Sequence, residues 1–228
     1  CIYGHDVATA VFAQMYPGAK YEPLCEEGEW RETGEVAALD GSLATILTGE
    51  RTALNFLMHL SGVATLAARA VRAIEGTGAR ILDTRKTTPG MRVLEKAAVA
   101  AGGASNHRMG LFDAILVKEN HIAAAGGVRE AIAACRALSD RPVELECESQ
   151  EQVAVAIEAG ADRLLLDNMT PAELRAAVEL VDGRATLEAS GGYTVENVRD
   201  AAETGVDFIS MGALTHAAPW VDLSLLVV

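Results

Sequence analysis

From Arg80 onward, the chain alternates short apolar runs rich in β-branched residues with longer stretches in which apolar residues recur at helical spacing. This alternation is the pattern of repeated βα units around a parallel sheet. Side chains that commonly cap helices precede several of the predicted helices, namely Ser149, Thr170 and Thr194. The predicted strands are Arg80–Asp83, Ala104–His107, Phe112–Lys118, Pro142–Glu146, Arg163–Asp167, Ala185–Ala189 and Asp207–Met211. A pattern this regular favours an α/β barrel or a doubly wound sheet.

The chain before Arg80 is organised differently. A short helix is predicted at Val7–Met15, and antiparallel strands are predicted over Tyr21–Leu47. A long amphipathic helix, from about Glu50 to Glu75 with Thr48 as its candidate N-cap, then leads into the βα units. We therefore expect a small domain at residues 1–50, followed at residues 51–228 by the linking helix and the larger domain.

The small domain is short for an independent unit, because two or three strands with one helix are marginal in water. We expect its other layer to come from another chain, or from residues that precede Cys1 in the natural protein.

Net charge and composition exclude several kinds of partner. The formal net charge is -13 and the pI is near 4.8, which disfavours binding to nucleic acid or anionic membranes. No uninterrupted apolar run approaches the roughly 20 residues of a membrane span, and the first residues lack signal-peptide features, so we expect a cytoplasmic protein. The four cysteines form no C-x-x-C pair and are interpreted as apolar fillers. An anionic ligand therefore needs a local basic pocket.

Charged and small polar residues follow nearly every predicted strand of the larger domain, at the end where α/β barrels place their sites. Four cations belong to this set, with His107 beside them: Arg85, Lys86, Arg108 and Lys118. Cations gathered in one place are costly unless anions neutralise them. The pattern therefore predicts a substrate with several negative charges.

Two carboxylates, Glu146 and Asp167, end successive predicted strands and are expected on the same side of the barrel mouth. Paired carboxylates near a polyphosphate indicate Mg²⁺, held directly or through water. The alternative is that they form ion pairs with Lys86 and Lys118, which is compatible with metal binding.

Glycine-rich turns follow the last two predicted strands, where barrels commonly bind phosphate. Ser190-Gly191-Gly192 forms the first turn, and Gly212 lies in the second. Glycine lets the backbone approach a ligand closely. His216 lies just past the second turn and is a candidate for orienting it by hydrogen bonding.

The segment Asp83-Thr84-Arg85-Lys86-Thr87-Thr88-Pro89-Gly90 resembles the quinolinate phosphoribosyltransferase family, the carboxylating nicotinate-nucleotide pyrophosphorylases. The resemblance covers nearly the whole chain. It continues through Glu50–Asn55, Asn106–Leu111, Lys118–Ile122, Leu166–Met169, Glu188–Gly192 and Gly212–His216. It implies an incomplete parallel βα barrel of about seven strands, of phosphoribosyltransferase type II, with a small α+β sandwich domain at the N-terminus. Family members carry further structure before the position of Cys1, so we expect the first segment of that domain to be missing here.

The resemblance implies phosphoribosyl transfer from phosphoribosyl pyrophosphate to quinolinate with decarboxylation, giving nicotinate mononucleotide, pyrophosphate and CO2. The implied catalytic residues are Lys86, Lys118, Glu146 and Asp167, with Mg²⁺ at Glu146 and Asp167. The implied quinolinate-binding residues are Arg51, Thr84, Arg85, His107, Arg108 and Lys118. The implied residues for phosphoribosyl pyrophosphate are Lys86, Glu146, Asp167, Ser190, Gly191, Gly192, Gly212 and His216.

The resemblance also implies a homodimer in which Arg51 of one subunit reaches the active site of the other, and it leaves open whether dimers pair into hexamers. Three alternatives remain. The first is the family's molybdenum-associated paralogue, although Thr88-Pro89-Gly90 follows the quinolinate pattern. The second is a lipoyl-type carrier, although Asp40-Gly41 offers no lysine at the hairpin tip. The third is an inactive, truncated barrel.

Overall fold

The computed structural model describes residues 1–228. The chain divides into two compact units. The N-terminal unit comprises Cys1–Arg69, Thr87–Ala104 and Leu214–Val228, and the barrel unit comprises Ala70–Lys86 and Ser105–Ala213. In chain order, the elements are α1 His5–Met15, β1 Lys20–Pro23, β2 Ala37–Asp40, α2 Leu43–Ala73, β3 Arg80–Leu82, α3 Arg92–Ala101, β4 Ile115–Val117, α4 Glu119–Ala125, α5 Val128–Leu138, β5 Val143–Cys147, α6 Gln150–Glu158, β6 Arg163–Asp167, α7 Pro171–Val181, β7 Thr186–Ser190, α8 Val198–Ala202, β8 Phe208–Ser210 and α9 Ala213–His216.

The barrel unit is built on a six-stranded parallel sheet in the order β3-β8-β7-β6-β5-β4. Helices connect its strands, as the alternating sequence pattern predicts. No strand ladder joins β4 to β3, so the barrel is incomplete. The predicted fold class, an incomplete α/β barrel with a small antiparallel sheet near the N-terminus, is confirmed.

Alternate residues of the barrel strands have opposite character. Leu145, Leu164, Leu166 and Ile209 are fully buried and belong to the apolar face that the helices cover. Their neighbours along the strands point to the opposite face, and these are largely polar: Glu144, Glu146, Arg163, Asp167, Glu188, Ser190 and Ser210. The apolar core of this unit therefore lies between sheet and helices, and the inner face is free to carry chemistry.

The N-terminal unit packs α1 against the antiparallel pair β1 and β2, whose register joins Lys20 to Asp40. Its small core contains Phe12, Leu57 and Ala53, with Tyr21 against them. The helix predicted at Val7–Met15 is confirmed and begins two residues earlier, at His5. The four cysteines are free, and three of them are buried, as expected of apolar fillers.

The predicted strand Ala104–His107 is wrong. Only Ser105 pairs with β3, in an isolated bridge to Leu82. The carboxylate of Asp83 accepts the His107 N–H at 2.8 Å, so this amide bonds a side chain instead of a neighbouring strand. Asp83 and His107 are 24 residues apart in the chain, and their hydrogen bond uses the amide that a strand would need for pairing. The pairing with β3 therefore does not extend beyond Ser105.

Two helix starts also differ from the prediction. Helix α2 begins at Leu43, because Ser42 Oγ accepts the Thr45 N–H at 3.2 Å and caps it. Thr48, the predicted cap, lies inside the helix and donates its hydroxyl to the Ala44 carbonyl. The N-cap of α8 is Asn197 and not Thr194. The caps predicted for α6 and α7, Ser149 and Thr170, are confirmed.

Helix α2 has the length and apolar composition of a membrane span. Half of its 18-residue apolar window is buried within the protein, and the core helices of soluble proteins meet the same criteria.

The apolar core layer gives a direct test of the barrel. Leu166 on β6 is fully buried, so Leu166→Ala leaves a cavity and is expected to lower the free energy of unfolding by about 2–5 kcal/mol. The matched control is Leu138→Ala at the end of α5, where the side chain is 87% exposed and the expected change is within about 0.5 kcal/mol. Equilibrium urea unfolding of both variants measures the difference, and equal midpoints would contradict this packing.

Candidate active site

A cavity of about 480 Å³ opens at the carboxyl ends of the barrel strands, where the polar inner faces converge. All of its lining residues belong to the barrel unit. They are Thr84, Arg85, Lys86, His107, Arg108, Leu116, Lys118, Glu146, Leu165, Asp167, Asn168, Glu188, Ser190, Gly191, Gly192, Ser210 and Gly212. Each strand therefore contributes side chains, or the residues directly after it, to one site.

Most of the predicted site residues are brought together here. The lining contains twelve of them: Thr84, Arg85, Lys86, His107, Arg108, Lys118, Glu146, Asp167, Ser190, Gly191, Gly192 and Gly212. Arg51 and His216 are not lining residues. The Arg51 side chain, on α2, is 72% exposed, with its guanidinium 4.0 Å from Glu50, and His216 is exposed at the end of α9.

Four cationic side chains line the cavity, and two of them are the arginines Arg85 and Arg108. Burial, followed by the positive charge of Arg85, lowers the pKa of Arg108 from its ordinary value. The guanidinium of Arg108 is anchored by a hydrogen bond from Nη1 to the Ala114 carbonyl at 3.1 Å. Like charges held beside each other in a partly buried site favour the binding of an anion that neutralises both.

Lys118 forms an ion pair with Glu146 across the neighbouring strands β4 and β5. Of the ion pairs considered as an alternative for the two carboxylates, the one between Lys118 and Glu146 is therefore present. Asp167 has a different neighbour, since its Oδ2 accepts from the Asn168 side chain at 2.7 Å. The nearby His121 has a structural role, because its Nδ1 accepts the Lys118 N–H at 2.9 Å and so caps α4.

The turn after β7 is bound closely to the end of β6. Asn168 has a φ of 54°, and its N–H donates to the Ser190 carbonyl at 2.8 Å. Gly191 has a φ of 124°, and a Cβ there would overlap the Asn168 side chain. Both features require glycine at this position. Asn168 thus connects the carboxylate of Asp167 with the glycine turn, which exposes its backbone to the cavity.

The prediction missed a buried polar cluster on the inner face of the sheet. It consists of Glu144, Arg163, Glu188 and Ser210, together with His107, which was predicted. His107 Nε2 lies 3.3 Å from Glu144 Oε2 and 3.5 Å from Glu188 Oε1. The signal was period-two alternation, because Glu144 and Glu146 lie on the same face of β5, and Glu188 and Ser190 share a face of β7.

Arg163 compensates the two buried carboxylates of this polar cluster. Its Nε lies 3.7 Å from Glu144 Oε1 and 3.5 Å from Glu188 Oε2, and its guanidinium carbon lies 4.2 Å from the Phe208 ring centroid. Burial, and then the charge of Glu144, raise the pKa of Glu188. Burial alone would raise the pKa of Glu144, but the hydrogen bond from His107 and the charge of Arg163 lower it. These opposite directions are expected of two carboxyl groups in contact.

The protonation of His107 is set by two opposing influences. Burial lowers its pKa, but the hydrogen bond with Glu144 and the charge of Glu188 raise it above the ordinary value. The ring Nδ1 also accepts the Arg108 N–H at 2.7 Å, which requires a nitrogen without a proton. Because two N–H groups do not face each other at this distance, the ring carries its proton on Nε2, directed at the carboxylates.

Two groups of side chains have the donor atoms for a metal ion. His107, Glu144 and Glu188 place ligand atoms within 4.8 Å of one another, but Arg163 already neutralises their charge. Glu146 and Asp167 offer carboxylate oxygens at the cavity itself. Mg²⁺ prefers one or two carboxylates with water and substrate phosphates, so this second pair fits it.

A barrel whose cavity gathers arginines, carboxylates and backbone-exposing glycine turns defines an enzyme-type site for a small polyanionic molecule. The chain belongs to the quinolinate phosphoribosyltransferase family: the family models of its N-terminal and C-terminal domains match residues 2–61 and 63–226.

Known proteins agree with this assignment. The chain is 45% identical over 203 residues to a probable carboxylating nicotinate-nucleotide pyrophosphorylase of Bacillus subtilis, covering 88% of this chain and 70% of the relative. It is 45% identical over 229 residues to the carboxylating nicotinate-nucleotide pyrophosphorylase of Homo sapiens, covering 97% and 77%. The structure of the Francisella tularensis nicotinate-nucleotide pyrophosphorylase is similar with a TM-score of 0.95 at 40% identity, covering 98% of this chain and 80% of that one.

Proposed function

We propose that the chain transfers a phosphoribosyl group from phosphoribosyl pyrophosphate to quinolinate with decarboxylation, giving nicotinate mononucleotide, pyrophosphate and CO2. This makes it a pentosyltransferase of NAD biosynthesis. The observation that carries the proposal is the single cavity that joins paired arginines, the Lys118–Glu146 ion pair, Asp167 and two glycine turns. The named activity of the Bacillus and human relatives supports the same reaction.

Quinolinate binds through its two carboxylates at the cationic side of the cavity. Arg85 and Arg108 supply guanidinium groups, and Lys118, Thr84 and His107 complete the set. Each carboxylate neutralises charge that is otherwise compensated only in part, which favours a dicarboxylate over a monocarboxylate.

Phosphoribosyl pyrophosphate binds on the opposite side. The turns at Ser190, Gly191, Gly192 and Gly212 present backbone N–H groups to the 5-phosphate, with His216 nearby in sequence. Glu146 and Asp167 meet the ribose hydroxyls and would hold Mg²⁺, directly or through water. When bound, the metal neutralises the pyrophosphate and makes it a better leaving group.

Lys86 lies between the two substrates in this arrangement. The pyridine nitrogen of quinolinate attacks ribose C1, and the C1–O bond to pyrophosphate breaks through a transition state with positive charge on the ribose. Glu146 and Asp167 place negative charge near that centre, while Lys86 and Lys118 face the departing and attacking anions. Loss of the 2-carboxylate as CO2 then leaves an electron pair next to the ring N⁺, where a proton replaces it. The protein's contribution is positioning and charge neutralisation.

The working unit is a cytoplasmic homodimer with shared active sites, which binds neither nucleic acid nor membrane. Arg51 is exposed on α2 and reaches the quinolinate of the partner subunit. An acidic surface, with a net charge of -13, supports the expected lack of affinity for nucleic acid.

The roles of Glu146 and Asp167 are tested by replacing each with alanine. Glu146→Ala and Asp167→Ala are each expected to lower turnover by about two orders of magnitude or more, because each removes a charge that stabilises the transition state. Pyrophosphate release in the presence of quinolinate and Mg²⁺ measures turnover, and circular dichroism checks the fold. Glu148→Ala, an exposed carboxylate two residues past Glu146, is the control and is expected to keep full activity. Near-normal turnover in both test variants would contradict their assigned roles.

The shared active site is tested by mixing two inactive variants. Arg51→Ala and Lys86→Ala homodimers are each expected to be nearly inactive, because each lacks a cation that faces a multiply charged anion. In a heterodimer, one site carries both lesions, while the other combines an intact Lys86 with the partner's Arg51.

The two variants are therefore unfolded and refolded together, and quinolinate-dependent pyrophosphate release is compared with that of each variant refolded alone. Part of the activity is expected to return. A mixture that is shown to contain heterodimers and yet stays as inactive as its parents would rule out sharing.

A further inference from the structure

The polar cluster consists of Glu144, Arg163, Glu188, Ser210 and His107, and the last three of these also line the cavity. It is placed where barrels usually pack apolar residues. Strands β5, β6, β7 and β8 each contribute one of its side chains. The Glu188 side chain is fully buried and that of Glu144 is 5% exposed. Replacing buried ionic groups by apolar side chains of similar volume is often neutral or stabilising, so folding alone does not account for this polar cluster.

We propose that Glu188, assisted by Glu144, is a positioning residue for quinolinate: it fixes the His107 ring and, through that ring, the Arg108 backbone that carries the substrate-binding guanidinium. The inference rests on the proposed function and adds residues to its site. Glu188 is one of the lining residues of the cavity, but its oxygens face Ser210, His107 and Arg163, so we assign it an action through His107 and no contact with the substrate.

The chain of contacts begins at Ser210. Its hydroxyl donates to Glu188 Oε1, and this oxygen also lies 3.5 Å from His107 Nε2. Glu188 Oε2 faces Arg163 at 3.5 Å. The two oxygens of Glu188 thus have different partners: Oε1 faces the His107 ring and Oε2 faces the Arg163 guanidinium. Both are directed at protein groups.

The His107 ring passes this constraint on to Arg108. Its Nε2 side is held by Glu188 and Glu144, and its Nδ1 accepts the Arg108 N–H at 2.7 Å. The His107 N–H is bound to Asp83 at 2.8 Å. A ring engaged at both nitrogens cannot rotate without losing contacts on both sides. The position of the Arg108 backbone therefore depends on the carboxylates on the far side of the ring.

The guanidinium of Arg108 has one further anchor, the 3.1 Å hydrogen bond to the Ala114 carbonyl. With the ring released, the side chain beside the like-charged Arg85 is restrained only by this bond and by the charges of Glu144 and Asp113. Displacement of a binding group by about 1 Å costs up to two orders of magnitude in rate or affinity. The loss falls on quinolinate, because the glycine turn after β7 is held by separate contacts with Asn168.

Three substitutions test the proposal. Glu188→Leu keeps the side-chain volume and removes both oxygens, and its KM for quinolinate is expected to rise about tenfold or more. Its KM for phosphoribosyl pyrophosphate is expected to stay within about twofold. Its urea unfolding midpoint is expected to fall, because Arg163 and Ser210 lose a buried partner, and this loss of stability is measured separately from the two KM values. Glu188→Gln keeps an oxygen toward Ser210 and His107, so its KM for quinolinate is expected within about threefold of the unaltered protein. Ser210→Ala removes the donor and is expected to raise the same KM by about threefold.

Glu179→Leu, the same change at an exposed position of α7, is the control and is expected to leave both KM values unchanged. The proposal is overturned if Glu188→Leu keeps the normal KM for quinolinate, if it raises both KM values alike, or if Glu188→Gln is as impaired as Glu188→Leu. If Glu188→Leu does not fold, a normal KM for quinolinate in Ser210→Ala overturns it instead. Absence of quinolinate-dependent turnover in the unaltered protein would contradict the proposed function, whereas these outcomes concern only the role of Glu188.

Discussion

Charge compensation inside the barrel is the constraint on which the rest of the structure depends. The apolar faces of the strands pack against the helices. The inner face carries arginines, lysines and carboxylates that are only partly accessible to water. Arg163 balances Glu144 and Glu188, and Lys118 balances Glu146. Burial, and then repulsion from Arg85, lower the pKa of Arg108. A bound dianion adds negative charge beside these two guanidinium groups and so reduces the repulsion between them.

This arrangement suits a reaction in which the protein contributes position and electrostatics. The substrates bring their own leaving group and, after ribosylation, their own electron sink. Charged groups held in advance around the reacting atoms need no reorganisation during the step, which is where much of the rate enhancement of such enzymes arises. The polar cluster also holds charged groups in place in advance, since it fixes His107 and thereby leaves Arg108 little freedom.

The sequence predicted the βα order, the site at the carboxyl ends and most of the cavity lining, because loop charges after apolar runs are visible locally. Glu144 and Glu188 were missed because a glutamate inside an apolar run gives no hint of its partner, which lies on another strand. The false strand at Ala104–His107 had the same cause, a long-range bond to Asp83. Arg51 is a different case: its predicted role involves a second chain, and contacts within one chain do not test it.

The central claim, that the cationic side of the cavity selects a dicarboxylate, is tested most directly by isothermal titration calorimetry of the unaltered protein with quinolinate and with nicotinate. The two ligands share the pyridine ring and differ by one carboxylate. Charge compensation predicts that quinolinate binds at least about tenfold more tightly, because nicotinate has one carboxylate fewer to place against Arg85 and Arg108. Equal affinities for the two ligands would contradict the account.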